Sequence, residues 1–446
     1  MKSTLRTRLT LCTLLLLPLM AQASPQLAKG ACPDNLPAAT RCFAGQDEAG
    51  AFVWVAMPPK WNGVLVMHAH GGPELGEPKA ERALEDLKRW SVWPHAGFAY
   101  AGSGFRQGGV AVRSAAEDTE RLRKLFIAEF AAEFGPPRRT VLHGQSWGAG
   151  VAAKAAEMFA TQDAAGKPPY DALLLTSGVL GGGTRSYDFR LDLRVVYQAL
   201  CANHPRPDEP QYPLWQGLPL ESKLSRSELA KRVNDCTGLN LKPERRSAEQ
   251  QSKLDTLLKT VRIPERSLLG HLNWATWHFQ DIVFKRLGGH NPFGNIGARY
   301  VGSTDDEALN TRVPRYAADP AAVGAFAADT DLQGRIPVPV LTVHAVDDPT
   351  AFVELQSQFR ETMTLGGSAE RLVQVFTADT EHSYLSDAQY LAAMAALLDW
   401  VERADKPTPA TVAERCKAHD SDGRGCRILP SYQPAPLESR IAPRRR

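Results

Sequence analysis

The sequence predicts an α/β fold built on a mostly parallel sheet covered on both faces, interrupted by a large helical insertion. Short apolar runs at 51–57, 64–69, 96–102, 140–143, 172–177, 338–345 and 372–377 read as strands. Several are nearly continuous rather than alternating, the pattern of strands buried on both sides. Amphipathic stretches separate them, and such alternation favours right-handed strand–helix–strand crossovers. From about 181 to 335 that rhythm is lost, which marks the insertion.

At the N-terminus, Lys2, Arg6 and Arg8 precede an apolar run from Leu9 to Met20 and the small-residue site Ala21-Gln22-Ala23. This is the pattern of an export signal cleaved before Ser24. The run is shorter than the ~20 apolar residues of a spanning helix, and no later stretch approaches that length. Leu11 stands before Cys12, where a lipoprotein signal needs a small residue, so the expectation is export to the periplasm or medium without stable membrane association. Loss of the three basic leader residues brings 52 basic against 49 acidic residues to balance, which gives no electrostatic footprint for nucleic acid. The closing arginines Arg444, Arg445 and Arg446 read as a solvated, Pro-rich end.

Six cysteines follow the leader, an even set in an exported chain. Proximity favours Cys32 with Cys42, Cys201 with Cys236, and Cys416 with Cys426. A zinc site is disfavoured because no pair has knuckle spacing and His419 is the only histidine near any of them; no metal is expected.

The expected organisation is a leader (1–23), a first core segment (24–180), a helical cap (181–335), a second core segment (336–404) and a Pro-rich surface tail with a local disulfide (405–446). Ser114-Ala115-Ala116-Glu117 looks like a capping box that opens a helix running to about Phe134. Within the cap, 225–233 has helical periodicity, and Trp274, Trp277, Phe279 and Phe284 recur at helical spacing. Trp274 and Trp277 are candidate pocket residues, with cap packing as the competing role.

The chemistry centres on Gly144-Gln145-Ser146-Trp147-Gly148, which follows a strand and precedes the small-residue run Ala149-Gly150-Val151-Ala152-Ala153. A strand that turns at once into a helix leaves room for nothing larger than glycine at 144 and 148 and presents the serine hydroxyl as a nucleophile. A serine hydroxyl needs a base, an acid to orient that base, and donors for the oxyanion. His382, after the last strand, is the candidate base. His344 reads as a buried core residue, and His68, His143 and His290 lack that post-strand setting. Asp348, before Pro349 at the end of the strand 338–345, is the candidate acid, with Asp347 as its rival. The backbone N–H of Trp147 and one from His70-Gly71-Gly72-Pro73, Gly72 in preference to Gly71, are the candidate oxyanion donors.

The set His70-Gly71-Gly72-Pro73, Gly144-Gln145-Ser146-Trp147-Gly148, Asp348-Pro349 and His382, in that order, resembles the α/β-hydrolase family of serine hydrolases over roughly 52–404 apart from the cap. The resemblance implies a doubly wound, mostly parallel sheet, a cap inserted after the sixth strand, and an acyl-enzyme mechanism with no metal or organic cofactor. Pairing His-Gly-Gly-Pro with Ser-Trp-Gly is similar to prolyl aminopeptidases, but Glu74 and Gln145 depart from that branch. Trp61-Asn62-Gly63 and Gly102-Ser103-Gly104-Phe105-Arg106 look more like exported esterases. The leading expectation is therefore an exported carboxylic-ester hydrolase acting on a small-molecule or polymer ester. An aminopeptidase is the alternative and needs cap carboxylates such as Glu221, Glu228 or Glu244 to hold a substrate amine. A binding protein on a hydrolase fold is the third reading.

Overall fold

The computed structural model describes residues 27–161, 166–420 and 425–444. The expected leader with its cleavage site at Ala23, as well as Arg445 and Arg446, lies outside the described residues.

Strands β1 (Ala28–Gly30), β2 (Arg41–Gln46), β3 (Phe52–Met57), β4 (Val64–Ala69), β5 (Ala99–Ser103), β6 (Arg139–Gln145), β7 (Ala172–Thr176), β8 (Val340–Ala345) and β9 (Leu372–Thr377) form one sheet. Its order is β1-β2-β3-β5-β4-β6-β7-β8-β9. The first three strands are antiparallel, and everything from β5 to β9 is parallel. Strand side chains alternate between faces. Leu65, Met67, Leu142, Leu173 and Val340 therefore pack one face against Phe126, Phe130, Val151 and Ala152 of the helices Val112–Phe134 and Trp147–Met158. Val64, Val66, Val141, Leu174 and Leu341 pack the other against Trp90, Trp93 and the helix Asp387–Arg403. Each such aliphatic side chain, fully buried, contributes about 1.5–3 kcal/mol. Strand order, parallel crossovers and helices on both faces are those of the α/β-hydrolase fold.

Three local expectations change. Strands β1 and β2 were not evident in the sequence, because an edge hairpin of short, half-polar strands lacks the long apolar run of a central strand. The helix expected to be capped by Ser114 starts at Val112, with Ala111 as N-cap; Ser114 lies inside its first turn and donates to the Ala111 carbonyl at 3.2 Å. The strand expected from 96 begins at Ala99, because Val92–His95 forms a helical turn that Gly97 closes at φ +81°.

The cap lies between β7 and β8, which is after the sixth strand once the short edge strand β1 is set aside. It holds the helices Asp188–Cys201, Arg226–Thr237, Ala248–Val261, Leu268–Asn273 and Pro320–Thr330, with π-helical turns at Trp274–His278 and Asp281–Arg286. Its own apolar centre includes Leu191, Leu193, Leu254, Leu257 and Phe279. Cys201 and Cys236 join two of its helices (Cα–Cα 5.7 Å), while Cys32 pairs with Cys42 and Cys416 with Cys426.

The tail does not simply lie along the surface. Helix Pro409–His419 buries Val412 and Cys416 among residues of the preceding helix, and Ile428 bridges the β9 edge at Thr377. Leu437 and Ile441 then enter the cap's apolar centre. Arg444, expected to be solvated, is buried; it pairs with Asp192 and with Asp188 at 3.6 Å and donates to the Gly294 carbonyl at 2.9 Å. Anchors that occur singly among prolines leave no periodic trace in a sequence. Among the described residues no helix is long and apolar enough to cross a membrane, and no group of His, Cys, Asp and Glu could hold a metal ion.

His68 and His143 face each other across β4 and β6, Nδ1 to Nδ1 at 3.0 Å, both fully enclosed. Burial lowers His143 and His70 to about 3 and His278 to about 4. The folded protein thus holds these rings neutral, whereas the unfolded chain protonates them below about 6.5. Their contribution to stability is complete above that pH and is lost on acidification from about 6.5 towards 3. Thermal unfolding followed by circular dichroism is expected to show Tm falling steadily from pH 7 to pH 4.5, and a flat profile would contradict the neutral-ring assignment.

Candidate active site

Ser146 stands between β6 and the helix that starts at Trp147, at φ 56° and ψ −122°, a backbone conformation that L-residues avoid. It is held there from three sides. Its N–H donates to the Thr176 carbonyl at 2.9 Å, and its carbonyl accepts from Ala149 at 3.1 Å and Val179 at 3.0 Å. A Cβ at Gly144 would meet the Gly148 carbonyl and, at 2.6 Å, Ala149 Cα; one at Gly148 would meet the carbonyl oxygens of Ala69 and His70. Both glycines are steric requirements of the turn.

The Ser146 hydroxyl lies 2.7 Å from His382 Nε2. His382 Nδ1 lies 2.7 Å from Asp348 Oδ2 and 3.0 Å from Oδ1. A carboxylate only accepts, so Nδ1 carries the proton and Nε2 is left to accept from the serine. Asp348 is 4% exposed, and its Oδ1 also accepts from the N–H groups of Thr350 (2.8 Å) and Ala351 (2.9 Å). Asp347 is exposed, and only its carbonyl is engaged, by Arg266 at 3.1 Å. His344 is buried beneath them, paired with the Ala351 carbonyl (2.7 Å) and with Gln356 (3.0 Å). His290 pairs with Asp319 at 3.0 Å, apart from the site.

Trp147 begins a helix, so its N–H has no partner within that helix, and the residue lines the same cavity as Ser146. Gly71 and Gly72 face the same cavity. Arg82 donates to the Gly71 carbonyl at 2.9 Å and to Asp86 Oδ1 at 3.3 Å. In a trans peptide the carbonyl and the next N–H point in opposite directions. Anchoring of the Gly71 carbonyl by Arg82 therefore turns the Gly72 N–H away from Arg82. Gly71 is needed for a different reason: a Cβ there would run into the Gln145 side chain. Burial raises the Asp86 carboxyl to about 7 against the pull of Arg82.

The cavity around Ser146 has a volume of about 280 Å³. The core contributes Gly71, Gly72, Gln145, Trp147 and His382, and the cap roof contributes Tyr187, Arg190 and Trp274, with Arg89 at the rim. Three cap histidine and arginine contacts fix the roof to the loops below: His278 to the Pro73 carbonyl (3.0 Å), His271 to that of Pro349 (2.9 Å) and Arg266 to that of Thr380 (2.7 Å). Of the two candidate tryptophans only Trp274 reaches the cavity. Trp277 sits instead beneath Arg226, whose guanidinium is 4.7 Å from the ring centre, because a three-residue step on a π-helical turn points the second ring elsewhere. Glu221 and Glu228 line a separate cavity with His204, Tyr212 and Arg232, and Glu244 lies on a short helical turn outside both. Sequence reasoning missed Arg89, Arg190 and Tyr187. They stand in mixed polar and apolar segments with no recognisable motif, so the sequence carried no signal for them.

No family model matches the chain, and no curated protein matches it. Among solved structures it is similar to a rice cell wall degrading esterase LipA from Xanthomonas oryzae (12% identity, TM-score 0.37, 82% of this chain and 90% of that one). It is also similar to feruloyl esterase B from Aspergillus oryzae (12%, TM-score 0.37, 82% and 81%) and to acylaminoacyl peptidase from Pyrococcus horikoshii (10%, TM-score 0.34, 94% and 44%). The chain spans less than half the length of the Pyrococcus protein.

The two glycine positions make unequal demands. Gly148→Ala drives a methyl group into two backbone carbonyls and is expected to cost about 2–3 kcal/mol. Gly72→Ala, at φ +74° with open space around it, is expected to cost about 1–2 kcal/mol from backbone strain alone. Urea unfolding of the two variants checks this, and the reverse order would contradict the packing of the turn.

Proposed function

We propose that this protein is an exported serine hydrolase that cleaves carboxylic esters through an acyl-enzyme. The observation that carries this reading is the continuous relay from Asp348 through His382 to a strained Ser146 that lines a cavity at the foot of a helix. Ser146 Oγ attacks the ester carbonyl carbon while His382 Nε2 takes its proton. The carbonyl oxygen gains the negative charge and is met by the N–H groups of Trp147 and Gly72, each such donor being worth about 10²–10³ in rate. Collapse of the intermediate breaks the bond to the alcohol oxygen, which leaves with the proton held on His382. Water then attacks the acyl-serine, its proton passes to His382, and the acid is released as Ser146 recovers its hydrogen.

Two observations support esters over peptides with a free amino terminus. Among the described residues no carboxylate lines the Ser146 cavity, whereas Arg89 and Arg190 both do, and an ammonium group would meet two cations there. The cap glutamates that could hold an amine face another cavity or none. Export is supported by three disulfides, which persist in oxidising compartments.

Ser146→Ala is expected to lower kcat on p-nitrophenyl esters by at least on the order of 10⁴-fold with unchanged circular dichroism. Asp348→Asn is expected to lower it by roughly 10⁴-fold, and Asp347→Asn by no more than about twofold, as for a surface substitution. Aminoacyl anilides should be cleaved poorly. Undiminished turnover by Ser146→Ala would falsify the mechanism, and efficient serine-dependent anilide cleavage would make the protein a peptidase.

A further inference from the structure

Arg190 is a cation without a counter-ion at the reaction centre. It is 3% exposed, lines the Ser146 cavity, and has no carboxylate within ion-pairing distance among the described residues. The rings of Phe189 (4.5 Å), Trp274 (4.7 Å) and Tyr187 (5.1 Å) surround its guanidinium instead. Of its donors, Nη1 is taken up by the Ser186 carbonyl at 2.9 Å. Nε is buried without a hydrogen-bond partner, and Nη2 makes no hydrogen bond among the described residues. Nε is sealed from the cavity, so Nη2 is the donor left open to an anionic oxygen there. Burial lowers Arg190 only to about 10, so it is a cation at neutral pH.

Other enclosed arginines are satisfied differently. Arg444 has Asp188 and Asp192, and Arg232 has Glu209 and Glu228. Arg194, one turn along the same helix, has no carboxylate but gives its two terminal nitrogens to the His204 carbonyl and the Tyr212 hydroxyl, and it does not line the Ser146 cavity. Arg190 alone of these lines the Ser146 cavity, with Nη2 unbonded among the described residues. Burying an unpaired charge is costly, and a ligand that supplies the missing anion recovers that cost on binding. Arg89 at the rim adds a second positive charge, positioned by the Ser383 carbonyl at 2.5 Å and over the exposed Tyr384 ring at 4.9 Å.

We infer that the natural substrate is an ester that also carries a carboxylate, and that Nη2 of Arg190 receives this carboxylate beside the scissile bond. This rests on the serine-hydrolase reading above and specifies its substrate class. Arg190 contacts the substrate but transfers no proton, so it determines specificity without entering the chemistry.

The test compares kcat/KM for matched pairs on one enzyme preparation: 4-acetoxybenzoate against 4-acetoxybenzamide, which places the charge on the leaving group, and monomethyl adipate against methyl hexanoate, which places it on the acyl group. At least one pair is expected to favour the anion by tenfold or more. Arg190→Met should bring that ratio to about one, and Arg190→Lys should retain part of it. Because each ratio is taken within one preparation, a variant that folds in lower yield still reports it. Wild-type protein is assayed in parallel for labelling of Ser146 by an uncharged fluorophosphonate, with adipate expected to protect and adipamide not. Labelling with no anion preference in either pair, or a ratio that survives Arg190→Met, overturns the inference and leaves the hydrolase standing. Absence of labelling at Ser146 removes the hydrolase reading itself.

Discussion

The backbone of Ser146 is the constraint on which the rest of the site depends. At φ 56° and ψ −122° it costs on the order of 1–3 kcal/mol relative to relaxed chain. Its persistence requires fixed surroundings, supplied by the Thr176 carbonyl on the neighbouring strand and by the Val179 and Ala149 N–H groups. Those partners exist only because β6 and β7 pair in register and because glycines at 144 and 148 let strand and helix meet without a Cβ between them. Once the turn is fixed, Ser146 and Trp147 line one cavity with His382, Gly71 and Gly72.

His382 and Gly71 are each held from behind. Asp348 fixes His382 and is itself fixed by two backbone N–H groups of its own loop. Arg82 holds the Gly71 carbonyl and pairs with the buried Asp86. The cap closes over both loops through carbonyl contacts from His271, His278 and Arg266. These three cap side chains bond to backbone, which ties that part of the roof to loop geometry more than to loop sequence. The tail completes the arrangement by seating Leu437, Ile441 and Arg444 on the cap, so that a segment far from the serine in sequence braces the roof above it.

Charge placement separates scaffold from site. Most enclosed charges are neutralised nearby, as Asp118 is by Arg106 and Arg121, and Asp192 by Arg444. In the Ser146 cavity that balance is broken towards positive, and Arg190 meets aromatic faces in place of a carboxylate. Arg194 on the same helix also lacks a carboxylate, but its terminal nitrogens are taken up by the His204 carbonyl and the Tyr212 hydroxyl away from the cavity.

The sequence by itself pointed to the central strands, the break in rhythm at the cap and the pairing of near cysteines, and it singled out Ser146, His382 and the Asp347–Asp348 pair as candidates. The physical reason is that each leaves a local mark: an apolar run, a lost period, a short spacing, or a strand end followed by a turn. Tertiary structure decided what depends on partners distant in the chain. It chose Asp348 over Asp347 by burial, seated Trp274 but not Trp277 in the cavity, buried Arg444, and kept the cap glutamates away from the serine. It also brought Arg190 to the Ser146 cavity, because the direction of a side chain on a cap helix is set by the packing of that helix on the loops beneath and not by any residue beside it.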